Sequence, residues 1–219
     1  MKPINLYVRE LIYASCIGLC LTISARAGEN RDAETDYTLG MKYYIGTDEI
    51  DQDVKQAVEW FRKAAELGLA KGQYRLGQAY DSGQGVRQDY PTAMRWYLLA
   101  AVQDDRDAES ALGDIYAAGH GVKINNDQAA KWYYKAAEQG VAHAQSELGK
   151  LYFSGTGVKQ DFVEAYFWLG VASKEIDDAV DKRDEAGERL TPAQLSGVRH
   201  RIETWRPEIA QEVERSGKL

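Results

Sequence analysis

The stretch AAKWYYKAAEQG, residues 129–140, recurs in altered form along the chain. Its alanines and aromatic residues follow the i, i+3, i+4, i+7 spacing that places side chains on one face of a helix. The tryptophan of this stretch marks the period, because tryptophans stand every 36 residues at Trp60, Trp96, Trp132 and Trp168. A fixed period of this length indicates copied units that stack into a solenoid.

A second apolar pattern precedes each tryptophan helix. It contains a Leu-Gly pair with a tyrosine three residues after the glycine, and it predicts a first helix, helix A, in every unit. A Gly-x-Gly-Val loop follows in three copies, beginning at Gly83, Gly119 and Gly155, whereas the copy at Gly46 lacks the second glycine. The Leu-Gly pairs are Leu39-Gly40, Leu76-Gly77, Leu112-Gly113 and Leu148-Gly149.

The second helix of each unit, helix B, has recognisable start and stop signals. An Asx residue at the start can accept hydrogen bonds from free N–H groups of the first turn. These residues are Asp53, Asp89, Asn125 and Asp161, and Gln56, Thr92, Gln128 and Glu164 follow at capping-box spacing. Gly68 and Gly140 suit a left-handed residue after the helix, where the second unit has Asp104. We expect the tryptophans of helix B to pack between units.

Taken together, these columns resemble the Sel1-like repeat, a relative of the tetratricopeptide repeat. The resemblance implies an all-α fold: an α/α right-handed superhelical solenoid of Sel1-like helix hairpins with a C-terminal helical cap. It divides residues 28–174 into units at about 33–69, 70–105, 106–141 and 142–174. It also implies that the protein works as a protein-interaction scaffold.

The residues after the repeats predict a cap and a tail. We expect a helix over 176–190 and a second helix that opens at a capping box formed by Thr191 and Gln194. Leu195, Val198, Ile202 and Trp205 share one face of that second helix. Residues 175–206 therefore resemble the capping helices that terminal repeats require, and 207–219 form a tail.

The N-terminus has the pattern of an export signal. A positive region is followed by an apolar stretch over residues 11–24, which is shorter than a membrane-spanning helix, and by Ala25-Arg26-Ala27 as a cleavage site. We expect a signal peptide over 1–27, cleavage after Ala27, and a periplasmic or secreted protein without stable membrane insertion. The alternatives are an uncleaved anchor and a lipoprotein attached through Cys16 or Cys20.

The composition disfavours several classes of function. A formal net charge of −7 without basic clusters disfavours nucleic-acid binding. Both cysteines lie within the predicted signal peptide, and the three histidines, His120, His143 and His200, have no ligand spacing. The Gly-x-Gly loops connect helices, so they lack the strand–loop–helix setting of a phosphate-binding loop. We therefore predict no catalytic, cofactor-binding or metal-binding residues, no cofactor and no enzymatic activity.

An acidic run separates the second unit from the third. It contains Asp104, Asp105, Asp107 and Glu109, and we expect it to be a solvated turn between units. Its spacing does not match an EF-hand calcium loop.

The residues of helix A that the core leaves unused predict a binding surface. They vary in chemistry between units, and several are aromatic residues or methionine, which contribute strongly to protein interfaces. We hypothesise that they line the concave face, although packing against a neighbouring helix would also explain some of them. The predicted partner-binding residues are Tyr37, Met41, Tyr44, Tyr74, Gln78, Asp114, Lys150 and Phe153.

The sequence therefore predicts a non-enzymatic scaffold or adaptor of the bacterial cell envelope, with an envelope or host protein as its partner. A module that binds cell wall or polysaccharide is the first alternative, because aromatic surfaces also bind sugars. A secreted hydrolase of the β-lactam-binding Sel1-like type is the second. The cysteines of that type are missing from the mature chain expected here.

Overall fold

A computed structural model describes the backbone of residues 26–207 and the side chains from residue 32 onward. This part of the chain folds into ten α-helices and contains no strand. The helices are α1 (Arg26–Ile45), α2 (Val54–Glu66), α3 (Ala70–Ser82), α4 (Tyr90–Ala101), α5 (Arg106–Ala118), α6 (Asn126–Glu138), α7 (Ala142–Ser154), α8 (Phe162–Ala172), α9 (Asp178–Gly187) and α10 (Pro192–Thr204).

Each repeat is a helix hairpin, with α1, α3, α5 and α7 as helices A and α2, α4, α6 and α8 as helices B. Every helix packs on the next one along the chain, from α1 to α9. The predicted Asx caps are confirmed: the side chains of Asp53, Asp89, Asn125 and Asp161 accept hydrogen bonds from first-turn N–H groups. Among the described helices, the reciprocal capping-box bond forms at Thr191, where Gln194 completes it.

The mid-helix glycine of each helix A allows close packing within the hairpin. A Cβ at Gly113 would lie 2.4 Å from the Tyr133 ring, and one at Gly77 would lie 2.7 Å from the Tyr97 ring. Phe61 and Leu169 contact Gly40 and Gly149 in the same way. The residue after each tryptophan therefore fills the hairpin, and the glycine makes the space for it.

The tryptophans themselves differ in burial. Trp168 is 2% exposed, whereas Trp60, Trp96 and Trp132 are half-buried. Lys63 and Lys135 lie over the rings of Trp60 and Trp132, with Nζ 3.5 and 4.8 Å from the ring centroids. The tryptophan column marks the repeat, but the following column forms its core.

The turns have the backbone conformations that the glycines predict. Gly83 and Gly85 both have a φ of +74°, and Gly68 and Gly140 have φ values of +91° and +90°. Asp104 takes the equivalent position in the second unit at +60°, the single non-glycine residue with positive φ in the described chain.

The C-terminal helices close the end of the array as predicted, although α9 is shorter than the expected 176–190. Trp205 meets Trp168 edge to face at 6.3 Å between ring centroids. Ile202 packs against Gly170, and Val198 is fully buried in the same cluster. These contacts enclose the apolar side of α8.

Two predicted segments fall largely outside the described residues. These are the signal peptide, apart from its last two residues, and the tail after Pro207. The predicted cleavage point after Ala27 falls in the first turn of α1. Within residues 26–207, no helix combines the length and apolarity needed to cross a bilayer.

Candidate functional site

The helices A lie on one side of the array, which we call the inner face. Besides the contacts between successive helices, α1 touches α3, α5 touches α7, and the cap helix α9 touches α7. All eight predicted partner-binding residues lie on these helices and are half-buried.

At the first repeat, the inner face carries aromatic side chains that are held in place by contacts with helix B. Tyr37 and Tyr44 both pack against Phe61 of α2, with ring centroids 5.9 and 6.3 Å apart. In the next repeat, Tyr74 packs on Tyr97 at 5.8 Å, and burial raises the pKa of Tyr74. One side of each ring is therefore fixed by the core, while part of the ring remains accessible.

A guanidinium group joins these two repeats. The Arg75 guanidinium carbon lies 5.8 Å from the ring centroid of Tyr44 and 5.7 Å from that of Tyr74. Its Nη1 donates a hydrogen bond of 2.9 Å to Oε1 of Gln78. Sequence reasoning missed Arg75, although its column varies between repeats as the predicted residues do: the equivalents are Thr38, Ala111 and Glu147.

A hydrogen-bonded cluster occupies the middle of the inner face. Asp114 accepts a bond of 2.7 Å from the hydroxyl of Tyr133, and its Oδ1 lies 2.9 Å from Nε2 of His143. That contact raises the pKa of His143. Asp81 accepts a longer bond of 3.4 Å from Tyr97, and burial raises the pKa of the Asp81 carboxyl group.

The far end of the inner face holds the remaining predicted residues. Lys150 pairs with Glu147 at 2.7 Å, and Phe153 packs edge to face on Phe162 at 5.4 Å. Lys182 of the cap lies over the Phe153 ring, with Nζ 4.4 Å from the centroid. The predicted residues thus lie along one face but form separate groups rather than a single pocket.

Two features of this region differ from the sequence-based expectations. The equivalents of Tyr74 in the third and fourth repeats, Ser110 and Ser146, are buried and unavailable to a partner. The acidic run is also not a fully solvated turn, because Asp105 caps α5 and Glu109 is 1% exposed. Neither change follows from residue type, since both depend on how neighbouring hairpins meet.

Glu109 of α5 is held against the C-terminal end of α6 in the same repeat. Its carboxylate accepts a hydrogen bond of 2.7 Å from Gln139 and lies 3.6 Å from Nζ of Lys135. Burial raises the pKa of Glu109, while Lys135 acts in the opposite direction. At the equivalent positions, Gln73 and Gln145 donate to backbone carbonyls of the preceding helix B. The described part of the chain contains no cluster of three or more His, Cys, Asp or Glu side chains that could hold a metal ion.

A sequence model of the Sel1 repeat matches residues 33–69, 70–105, 106–141 and 142–175. The protein belongs to the Sel1 repeat family. The matched units coincide with the hairpins α1–α2, α3–α4, α5–α6 and α7–α8. No curated protein matched the chain.

Solved Sel1 structures support the same architecture. A protective antigen present in uropathogenic Escherichia coli strains, with an SLR fold, superimposes with a TM-score of 0.72 and 32% identity. The match covers 84% of this chain but 40% of that protein. A Sel1 repeat protein from Oxalobacter formigenes gives a TM-score of 0.67 and 29% identity, over 78% of this chain and 72% of that one.

The family has a general mode of action. Sel1 repeat proteins generally mediate protein–protein interactions, and the Sel1 scaffolds similar to this chain are typically non-enzymatic.

Proposed function

We propose that this Sel1 protein is a non-enzymatic adaptor of the bacterial cell envelope that binds a partner protein on its inner face. The observation that carries this proposal is the row of half-exposed aromatic residues on helices A. Tyr37, Tyr44 and Tyr74 are each packed on one side against a buried ring of helix B. A surface of this kind loses little side-chain freedom when a partner covers it, because its rings are already ordered.

The arrangement suits protein binding for a second reason. Aromatic side chains contribute most when they lie in a surface that a partner can seal from water. The inner face alternates these rings with hydrogen-bonding groups, including Gln78, Asp114 and Lys150. The backbone N–H and C=O groups of a partner chain can therefore form hydrogen bonds with these side chains, while its side chains contact the aromatic rings.

The envelope location rests on the signal-like N-terminus and on one relative. The related structure from uropathogenic E. coli is that of a protective antigen. We propose that this protein is exported and that its partner is an envelope or host protein. Edman sequencing of the protein recovered from the periplasm or culture medium should then begin at Gly28.

Partner capture tests the binding surface. Envelope extract is passed over the immobilised protein and over a Tyr44→Ala/Tyr74→Ala variant, and bound proteins are identified by mass spectrometry. The wild type should retain a specific protein that the variant loses. Leu99→Ala removes an exposed apolar residue of α4, a helix B, and is the control.

The same experiment separates the alternatives. Retention of purified cell wall, in place of a protein, would favour the glycan-binding module. Equal capture by the wild type and the inner-face variant would contradict the proposed surface. Melting curves of all variants are recorded, because capture lost in proportion to folded protein would also count against it.

A further inference from the structure

A cleft opens between the first and second repeats at the loop end of the inner face. Its volume is about 610 Å³, and it is lined by Tyr44, Ile45, Gln52, Val54, Gln84 and Gly85. The side chain of Ile45 is 66% exposed, the largest exposed fraction among the large apolar residues of the described chain. The lining therefore combines apolar side chains with amide groups, and it contains no charged residue.

Arg75 lies at the inner end of this cleft. A smaller recess shares Tyr44, Val54 and Gln84 with the cleft and adds Arg75 and Gln78 to its wall. The guanidinium carbon lies within 6 Å of the ring centroids of both Tyr44 and Tyr74. Cation–π attraction of this kind leaves the N–H groups of a guanidinium available for hydrogen bonds.

That guanidinium has no carboxylate partner among the described residues. Three other arginines, Arg62, Arg183 and Arg201, pair with Glu59, Asp184 and Glu164. Arg75 donates only to the neutral amide of Gln78, although a guanidinium has five N–H donors. In a chain with 34 acidic residues against 27 basic ones, a half-buried arginine without an acidic partner retains the capacity to bind one.

The charge pattern around Arg75 is specific to the second repeat. Lys71, one turn earlier on α3, is exposed, and its equivalents in the third and fourth repeats are Asp107 and His143. The equivalents of Arg75 itself are neutral or acidic. The second repeat therefore presents two cations on the inner face next to an apolar cleft, and this charge selects an anionic group in a partner.

We propose that the cleft binds a linear segment of a partner protein through an Asp or Glu side chain. The carboxylate of that side chain pairs with Arg75, and a neighbouring apolar side chain lies against Ile45 and Val54. The Gln84 amide lines the cleft and bonds the backbone of the segment, whereas Nε2 of Gln52 already donates a hydrogen bond of 2.8 Å to the carbonyl oxygen of Tyr44. An internal acidic residue fits better than a C-terminal carboxylate, because the inner face continues beyond Arg75 in both directions and lets the bound chain pass through.

This inference rests on the proposed function, since it assigns a ligand class to part of the same surface. The test uses phage-displayed random 12-residue peptides, selected on the immobilised full chain. The strongest binder is synthesised in three forms: unchanged, with its acidic residue replaced by the matching amide, and with an amidated C-terminus. Affinities are measured by calorimetry for the wild type and for Arg75→Gln, Arg75→Lys and Arg95→Gln. Arg95 of α4 is exposed and serves as the matched control.

We expect the selected peptides to share an Asp or Glu beside an apolar residue. Arg75→Gln and the Glu-to-Gln peptide should each weaken binding by about tenfold or more, and together by no more than either alone. Arg75→Lys keeps the charge without the planar fork, so its loss should be smaller. Arg95→Gln and C-terminal amidation should leave the affinity within about twofold of the unchanged pair.

Three results would overturn the inference. One is equal binding by the wild type and a folded Arg75→Gln variant, and another is a loss caused by amidation of the C-terminus. The third is selection of peptides without an acidic residue. If such peptides still depend on Tyr44 and Tyr74, the inner face remains a binding surface and only the carboxylate site is wrong. If no peptide depends on those tyrosines, the proposed function fails as well.

Discussion

The junction between the third and fourth repeats encloses its tryptophan, whereas the junction between the second and third leaves its tryptophan half-buried; we call them the closed junction and the open junction. In the closed junction, Trp168 is enclosed by Tyr134, Phe167 and Trp205. In the open junction, the equivalent Trp132 is half-buried and covered on one side by Lys135. Copies of one repeat therefore bury the same column differently, depending on what stacks beside them.

The polar contacts of the two junctions differ in the same direction. Across the closed junction, Gln145 donates a bond of 3.1 Å to the carbonyl of Ala137, and Gly140 takes the left-handed turn. Across the open junction, Glu109 and Asp104 occupy these two positions. An ionised carboxylate cannot donate a hydrogen bond, and a side chain at positive φ costs free energy. We expect the array to open first between the second and third repeats.

The largest expected effect comes from the two tryptophans. Trp168→Ala should lower the free energy of unfolding by about 3–5 kcal/mol, because it leaves a cavity in an enclosed cluster. Trp132→Ala should cost about 1–2 kcal/mol, since part of that ring is already in contact with water. Urea unfolding followed by circular dichroism measures both values. Equal losses would show that exposure at the open junction has no energetic consequence.

A smaller effect of opposite sign is expected from Glu109→Gln. Burial raises the pKa of Glu109 in the folded chain. The protonated carboxyl group of Glu109 therefore stabilises the fold below its unfolded pKa, and this stabilisation is lost as the pH rises through the folded pKa. Glutamine does not ionise, so it loses no stability as the pH rises. Its amide can donate a hydrogen bond to the carbonyl oxygen of Ala101, as Gln145 does to the carbonyl oxygen of Ala137. The variant should be more stable by about 0.5–1.5 kcal/mol at neutral pH.

The pH dependence provides the control for that variant. The difference between Glu109→Gln and the wild type should shrink toward pH 4, where the wild-type carboxyl group is protonated. Thermal unfolding at pH 4 and pH 7 measures it. A variant that is less stable at pH 7 would mean that the contact between Glu109 and Lys135 outweighs the burial of the charge.

The smallest effect is expected from Asp104→Gly. Glycine adopts positive φ without the steric cost of a Cβ, so the variant should gain up to about 1 kcal/mol of stability. It also removes a negative charge near Glu109, which weakens one cause of the raised pKa of Glu109. Differential scanning calorimetry of the single variants and of the double variant with Glu109→Gln would reveal this coupling as non-additive gains. Strictly additive gains would indicate that the two residues act independently.

The sequence predicted the parts of the fold that depend on local chemistry. Asp53 and its equivalents cap helices because an Asx side chain reaches the first-turn N–H groups of its own helix. Gly83 adopts positive φ because the turn requires it. The repeat period also assigned the predicted partner-binding residues to helices A, and the structure places them on those helices.

The remaining features depend on contacts between units. The burial of Trp168 depends on Trp205, which lies more than thirty residues later and belongs to the cap. Glu109 looked like a solvated charge because its burial requires Gln139 of the following helix B. Sequence reasoning did not single out Arg75, because its distinctive property is the lack of a carboxylate partner. That property becomes visible only when the positions of the neighbouring carboxylates are known.

The second glycine of each Gly-x-Gly loop lets the loop pack against the preceding repeat. A Cβ at Gly85 would lie 2.8 Å from the carbonyl oxygen of Val54, and Gly157 meets the backbone of Asn126 in the same manner. Each loop thus acts as a socket for the start of the preceding helix B, and the loop after α1 lacks this socket. A copy of the third repeat inserted after residue 141 would make the same loop contacts with the repeats before and after it. The array would then be longer by one repeat.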